Sequence, residues 1–396
     1  MFDALDTLAP DPILGLMAAY RADPHPQKID LGVGIYKDEA GDTPIMAAAG
    51  EAERQRIAQE TTKAYIGPPG TPEFNDAIRG LIFGNQHDAV KAGLVTGVQT
   101  PGGCGALRVT AELLKRARPQ LTIWVSDPTW ANHIPLLGSA GLNIETYAYY
   151  DRENQCLRPE AMLETLAKVA TGDVVLLHGC CHNPSGVDLD AEHWHEVAKL
   201  ANQQGFLPFI DLAYQGLGDG LDEDAYGARY LAEHCEELVV AGSCSKNFGL
   251  YRERVGTVQV KSATNAISEV VQSQLGNVVR GIYSMPPAHG AAIVERILGD
   301  EAMSASWRRE LDEMRERING LRALLAQSLS EKTGQDFSFI ERQRGMFSFL
   351  GITPEQVATL KEQYSIYMVD SSRINVAGIN QKNVKYFVDA VGSVLA

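Results

Sequence analysis

Between about Gln99 and Val260 the chain alternates short apolar runs, each ending in small or polar residues, with stretches patterned as helices. The runs LTIWVSDP, DVVLLHGCC, FLPFIDLAY and LVVAGSCSK are apolar almost throughout, as strands covered on both faces are. This alternation predicts βαβ units feeding a largely parallel sheet in an α/β fold, with the chemistry at the carboxyl ends of the strands. Further on, Leu311, Met314, Ile318, Leu321, Leu325 and Leu329 recur at three- and four-residue spacing. They predict one long amphipathic helix between Trp307 and Leu329, able to bridge two domains. The segments FSFIERQRGMFSFLGI, TPEQVATLKEQY and IYMVDSSRINVAG, with a last helical stretch, predict a small α+β unit at the C-terminus.

With 396 residues, 45% of them hydrophobic, the chain can bury the cores of two domains. A net charge of -15 and a pI near 5.1 remove any general attraction to nucleic acid or to an anionic membrane, so neither is expected as a partner. Six cysteines without a CxxC pair suggest neither a zinc cage nor a disulfide framework; no metal is expected, and a reducing cytoplasm is the simplest home. The start MFDALDTLAPDPILGL has acidic residues and prolines where a signal peptide has a basic patch and an unbroken apolar run, which also points to an unprocessed cytoplasmic protein.

Four stretches carry candidate chemistry. In VAGSCSKNFGLYRERVG an apolar strand runs out into Ser243, Ser245 and Lys246, with Arg254 eight residues after the lysine. A lone lysine at a strand end is ordinarily a surface loop residue. A Schiff-base lysine, however, needs a depressed pKa, which burial and a cation such as Arg254 provide, and a phosphorylated aldehyde needs Ser and Arg donors nearby. In FLPFIDLAYQG, Asp211 ends a very apolar run and Tyr214 follows three residues later. A helix cap is the ordinary use of such an Asp; the chemical one is to keep a pyridine nitrogen protonated while Tyr214 bonds the ring's phenolic oxygen. LLHGCCHNPSG places Asn183 in a tight turn, where it also reads as a plain turn residue. TPGGCGALR opens a helix through Gly103 to Gly105, whose N–H groups suit a phosphate or merely a strand-to-helix turn. Trp130 and His133 in SDPTWANH are placed to stack on a flat ring, or Trp130 to fill a core.

With those stretches in place, the sequence resembles the class I pyridoxal-phosphate-dependent aminotransferases, and within them the aspartate and aromatic amino acid enzymes. The resemblance runs nearly end to end, through DPILGL, LGVGIYKDE, TTKAYIG, PGGCGALR, DPTWANH, HGCCHNPSG, DLAYQG, SCSKNFGLYRERVG, YSMPPAHG, GMFSF and SSRINVAG. It implies the large pyridoxal-phosphate transferase fold, a homodimer with shared sites, and pyridoxal 5'-phosphate as cofactor. It implies Lys246 as the lysine bonded to the cofactor, Asp211 as partner of the pyridine nitrogen, Tyr214 and Asn183 as donors to the phenolic oxygen, and Trp130 as the stacking residue. Ser243, Arg254, Gly103 and Cys104 match the phosphate cup, joined by Tyr65 from the other subunit. Arg373, with Gly34 and Asn183 beside it, matches the grip on the substrate α-carboxylate, and Arg280 the arginine that reaches across the interface to a distal carboxylate. Ile13, Leu14 and Phe347 are lid candidates, equally at home in plain packing.

The sequence also departs from the family. Cys104 stands where relatives usually carry Thr or Ser, and Ala64, Ile282 and Met285 stand where enzymes confined to dicarboxylates commonly carry Asn. An arginine with fewer amide tethers can swing aside, so aspartate and the aromatic amino acids Phe, Tyr and Trp are all expected as donors to 2-oxoglutarate, with a strict aspartate enzyme as the alternative. A nicotinamide-dependent dehydrogenase lacks its third glycine here, a DNA-binding regulator lacks its extra segment, and a lyase on the same cofactor stays open. The expected division is an N-terminal arm and first part of a small domain over residues 1–43, a large cofactor domain over 44–313 and the rest of the small domain over 314–396.

Overall fold

The computed structural model describes residues 1–7 and 12–396; Asp11 of the DPILGL segment lies outside the described residues. Seven strands form the central sheet: β1 (Val95–Pro101), β2 (Thr122–Asp127), β3 (Asn143–Ala148), β4 (Val174–His178), β5 (Leu207–Leu212), β6 (Leu238–Ser243) and β7 (Val255–Lys261). Their spatial order is β1-β7-β6-β5-β4-β2-β3. All neighbouring pairs are parallel except those of β7, which runs antiparallel to both β1 and β6.

The near-continuous apolar runs have their cause in this layering. Val174 and Leu176 of β4 enter a core beneath α1 (Gly102–Ala117) and α2 (Asn265–Ile282), while Val175 and Leu177 enter the core on the opposite face. Successive strand residues point to opposite faces, so a sheet covered by helices on both sides needs apolar residues at every position.

The long helix predicted from its periodicity is α3, Glu301–Thr333. Asp300 caps it through Met303 N at 2.9 Å, and Gly334 ends it in the left-handed conformation. Its apolar stripe serves two cores in turn: Leu311, Met314 and Ile318 pack under the sheet, whereas Leu321, Leu325 and Leu329 pack into a second core built from both chain ends. That second core is tied by Ile29–Asp30 pairing in parallel with Ile366–Tyr367, and by Phe347–Phe349 pairing antiparallel with Arg373–Asn375. Among the described residues no helix is long and apolar enough to cross a membrane.

Candidate active site

A cavity of about 250 Å³ opens at the carboxyl ends of the central strands. Parallel strands bring their last residues to one edge: His178 ends β4 and is paired in register with Asp211 of β5, and Ser243 ends β6. Because β7 runs the other way, it begins at this same edge, which delivers Arg254 beside the end of β6. The cavity is lined by Ile13, Gly34, Gly103, Cys104, Trp130, Asn183, Asp211, Tyr214, Ser243, Lys246, Arg254, Phe347 and Arg373, thirteen of the sixteen site residues that the family resemblance implies. His178, Cys180, Ser245 and Tyr251 also line it.

At one end, α1 starts at Gly102 with Pro101 as its cap residue and no side-chain cap, so the first N–H groups of a 16-residue helix face the cavity without a side-chain acceptor. Ser243, Ser245 and Arg254 surround that helix end, with Arg254 Nη1 donating to Ser245 Oγ at 3.3 Å and to Tyr251 O at 3.0 Å. Gly102 has φ 74, and a Cβ there would lie 2.4 Å from Arg254 Nη2, so the backbone and the guanidinium approach only because this residue is glycine. Uncapped amides, two hydroxyls and a guanidinium form a receptor for a phosphate-sized anion.

In the middle stand Lys246 and Asp211. Lys246 Nζ lies 4.8 Å from the centroid of the Tyr214 ring. Burial pushes the Lys246 ammonium below its ordinary range, opposed by Asp211 and assisted by Arg254, so the neutral nucleophilic amine is favoured. Asp211 Oδ2 is 2.9 Å from His133 Nε2, and His133 is completely buried. Burial alone would raise the Asp211 carboxyl, but the hydrogen bond from His133, the largest opposing influence, holds it below the usual carboxylate range. Burial also raises the Tyr214 hydroxyl well above its ordinary range, so it stays a donor.

Behind Asp211 runs a hydrogen-bonded line: His133 Nδ1 to Thr129 Oγ1 at 2.8 Å, Thr129 Oγ1 to His178 Nε2 at 3.3 Å, and Asn183 N to His178 Nδ1 at 3.5 Å. Burial drives His178 down to about 3, so it is neutral. One set of tautomers then satisfies every link: the Asn183 N–H, His178 Nε2–H, Thr129 O–H and His133 Nε2–H each donate toward Asp211. This corrects the sequence reading of His133. It does not stack in the cavity; it meets Trp130 edge-on, ring centroids 5.3 Å apart, and orients Asp211 from behind.

At the far end lies Arg373, 5% exposed. Its guanidinium sits over the Phe347 ring at 4.4 Å, Nη1 donates to Asn183 Oδ1 at 3.3 Å and Nη2 donates to Gly32 O. Nε has no partner, and among the described residues no carboxylate forms an ion pair with this buried cation. A Cβ on Gly34 would lie 2.6 Å from the edge of Phe347, so the glycine leaves room for that ring. A buried guanidinium without a counterion, facing a cavity, is a receptor for a carboxylate.

The other three of those sixteen residues do not line this cavity. Tyr65 is 91% exposed, Arg280 is exposed in the last turn of α2 and bonds Ser284, and Leu14 is 65% exposed. Leu14 follows the cavity-lining Ile13 in the helix Pro12–Ala22, and adjacent helical positions point in different directions. Cys180, Cys181 and Asp224 converge within 4.8 Å. The Asp224 oxygens already accept from the Gly216, Gly218 and Asp219 amides, and the Cys180 thiol is held well above its ordinary range by its bond to Cys181 and by burial.

Known proteins resemble this chain in sequence and in fold. The family described as aminotransferase class I and II matches residues 26–391. The chain belongs to that family. It is 46% identical over 396 residues to an aspartate aminotransferase of Haemophilus influenzae, covering all of both chains. It is 47% identical over 392 residues to an aromatic-amino-acid aminotransferase of Paracoccus denitrificans, covering 99% of each. The crystal structure of an aromatic-amino-acid aminotransferase of Burkholderia pseudomallei covalently bound to pyridoxal phosphate superposes with a TM-score of 0.98 at 38% identity, covering all of both chains.

Proposed function

We propose that this aminotransferase moves the α-amino group of both aspartate and the aromatic amino acids to 2-oxoglutarate, using pyridoxal 5'-phosphate. The residues present fit that cofactor: a phosphate receptor at the start of α1, an amine at Lys246, an ionised Asp211 and a wall at Trp130. When bound, the cofactor supplies a protonated pyridine ring that takes up the electrons left when the substrate loses its α-proton. Asp211, held ionised by His133, keeps the proton on the ring nitrogen. Ser243, Arg254, Gly103 and Cys104 hold the phosphate, and Tyr214 and Asn183 donate to the phenolic oxygen. Lys246 is placed to remove the substrate α-proton and return one, and burial shifts its pKa downward, toward the amine form that this needs. Arg373 grips the α-carboxylate through its two terminal nitrogens, with Gly34 beside it, and Ile13 and Phe347 exclude water from the substrate.

The observation that carries this reading is the buried Arg373 guanidinium without a carboxylate partner among the described residues, in one cavity with Lys246 and Asp211. The reading also takes the protein as a cytoplasmic homodimer. Tyr65 and Arg280, exposed on this chain, then serve the partner's cavity, and the chain-end core forms a small domain, 1–43 with 314–396, that closes on 44–313. Among the described residues the Arg280 side chain bonds only Ser284, and Ala64, Ile282 and Met285 offer it no side-chain amide. It is therefore free to meet a distal carboxylate or to turn aside for a ring, without being left buried and unpaired. Turnover of aspartate, phenylalanine and tyrosine with 2-oxoglutarate tests this directly. Activity with aspartate and none above background with the aromatic donors would make the protein a strict aspartate enzyme.

A further inference from the structure

Among the described residues the most deeply buried charged side chain is Arg322, with 0% exposure, and it lies outside the cavity. It projects from α3 where the helix passes between the two cores, after Ile318 and before Leu325. Burial pushes its guanidinium down to about 10, so the site is costly to maintain. Nε donates to Gly345 O at 2.9 Å, Nη1 to Ile340 O at 2.9 Å, and Nη2 to Gly345 O at 2.7 Å, Arg344 O at 3.0 Å and Phe347 O. All are main-chain carbonyls of one segment, 340–347, and none is a carboxylate. A rigid planar fork saturated by the carbonyls of a single segment fixes the path of that segment.

The segment carries Phe347, whose ring underlies Arg373 and meets Tyr214 edge-on at 6.1 Å. It is also locked to the turn that carries Asn183, a second support of Arg373. Arg344 N donates to Gly186 O at 2.7 Å, and a Cβ on Gly186 would meet Phe347 O at 2.3 Å and Arg322 Nη2 at 3.1 Å. A Cβ on Gly345 would meet Cys181 Cβ at 2.4 Å. Asp188 closes the turn from the other side by accepting from Cys181 N at 2.7 Å and His182 N at 2.8 Å. Two of the three supports of Arg373, Phe347 and Asn183, therefore belong to one packed unit, with Gly32 O outside it, and Arg322 is the charged group at the centre of that unit.

We propose that Arg322 is a positioning residue for the substrate α-carboxylate, acting through Phe347 and Asn183 to keep the Arg373 fork in its carboxylate-binding orientation. This rests on the reading of Arg373 given above. Arg322→Lys keeps the charge and loses the fork. The probes are succinate and 3-phenylpropionate, unreactive acids that share one carboxylate and differ at the far end, with binding to holoenzyme followed by the change in cofactor absorbance. Both Kd values are expected to rise together by tenfold or more. KM for amino acid and oxo acid should rise more than kcat falls, and the cofactor should survive dialysis as in the unaltered protein. Equal Kd values in the two proteins would overturn the proposal, as would loss of cofactor in step with loss of acid binding, which marks a general scaffold defect.

If the variant does not fold, amide exchange in the unaltered protein decides. Succinate should slow exchange several-fold at Arg344 and Val376, whose amides bond Gly186 O and Met346 O, and unchanged exchange would overturn the coupling. A protein that binds neither acid before any substitution would remove the substrate reading itself, and this inference with it.

Discussion

Replacing Arg373 by Met should separate activity from stability. The substrate carboxylate would enter a cavity that has lost its buried counter-charge, and removing one partner of a buried pair costs about 3–5 kcal/mol. Felt in the transition state, this is roughly a 10²–10⁴-fold fall in kcat/KM. The free protein is affected differently. It loses the bonds to Asn183 Oδ1 and Gly32 O, each worth roughly 1.5–3 kcal/mol because the donor is charged, a loss already contained in the net effect of replacing a buried charge. It also sheds a buried guanidinium with an unpartnered Nε, and an apolar side chain of similar length still covers Phe347. Apolar replacement of buried charges is neutral or stabilising by roughly 1–4 kcal/mol. Kinetics with aspartate and phenylalanine, and thermal unfolding of the cofactor-free protein, measure the two effects. The expected result is a comparable loss with both donors and an unfolding midpoint that is unchanged or higher. Activity within tenfold of the original, or a midpoint that falls in step with activity, would refute the assignment.

Gly102→Ala places a Cβ 2.4 Å from Arg254 Nη2 at φ 74, so the cofactor should leave on dialysis at least roughly tenfold faster, as loss of one charge-assisted contact implies; retention equal to the original would count against the phosphate receptor. In cofactor-free protein, capture of the aldehyde needs the neutral Lys246 amine. Because burial lowers the folded pKa, the capture rate should rise with pH about a midpoint below the ordinary 10.5, and a midpoint at or above 10.5 would contradict the burial of this lysine. Mixing Lys246→Ala with Arg280→Ala under conditions that exchange subunits should restore about a quarter of the activity toward aspartate, since half the dimers then hold one intact site of two. No recovery after verified exchange would show that Arg280 does not act across subunits.

Much of this was legible before any coordinates. Strand-end residues stood out because polar groups that close apolar runs have few structural uses, and this marked Asp211, Ser243 and Lys246. The period of α3 could be read because its stripe serves two cores without a break. What the sequence hides is depth and direction. His133 read as a stacking ring because nothing local says it is completely buried behind Asp211. His178 was missed although it ends its strand as Asp211 nearly ends the next, and their pairing is a register fact, visible only once the sheet is assembled. Arg322 interrupts an apolar stretch of α3, GLRALLA, where a long-stemmed arginine passes for an ordinary helix residue, and only the packed segment 340–347 gives it a role. Tyr65 and Arg280 are exposed on a single chain, so their use depends on a second copy.

The most direct test of the central claim is a half-reaction titration. Protein carrying its cofactor is mixed separately with aspartate, glutamate, phenylalanine and tyrosine, and the loss of the lysine-bound absorption and the growth of that of the aminated cofactor are followed. Conversion by the acidic and the aromatic donors alike is expected. Conversion by the acidic donors alone would contradict the dual specificity, and no conversion by any of them would contradict amino-group transfer between these substrates.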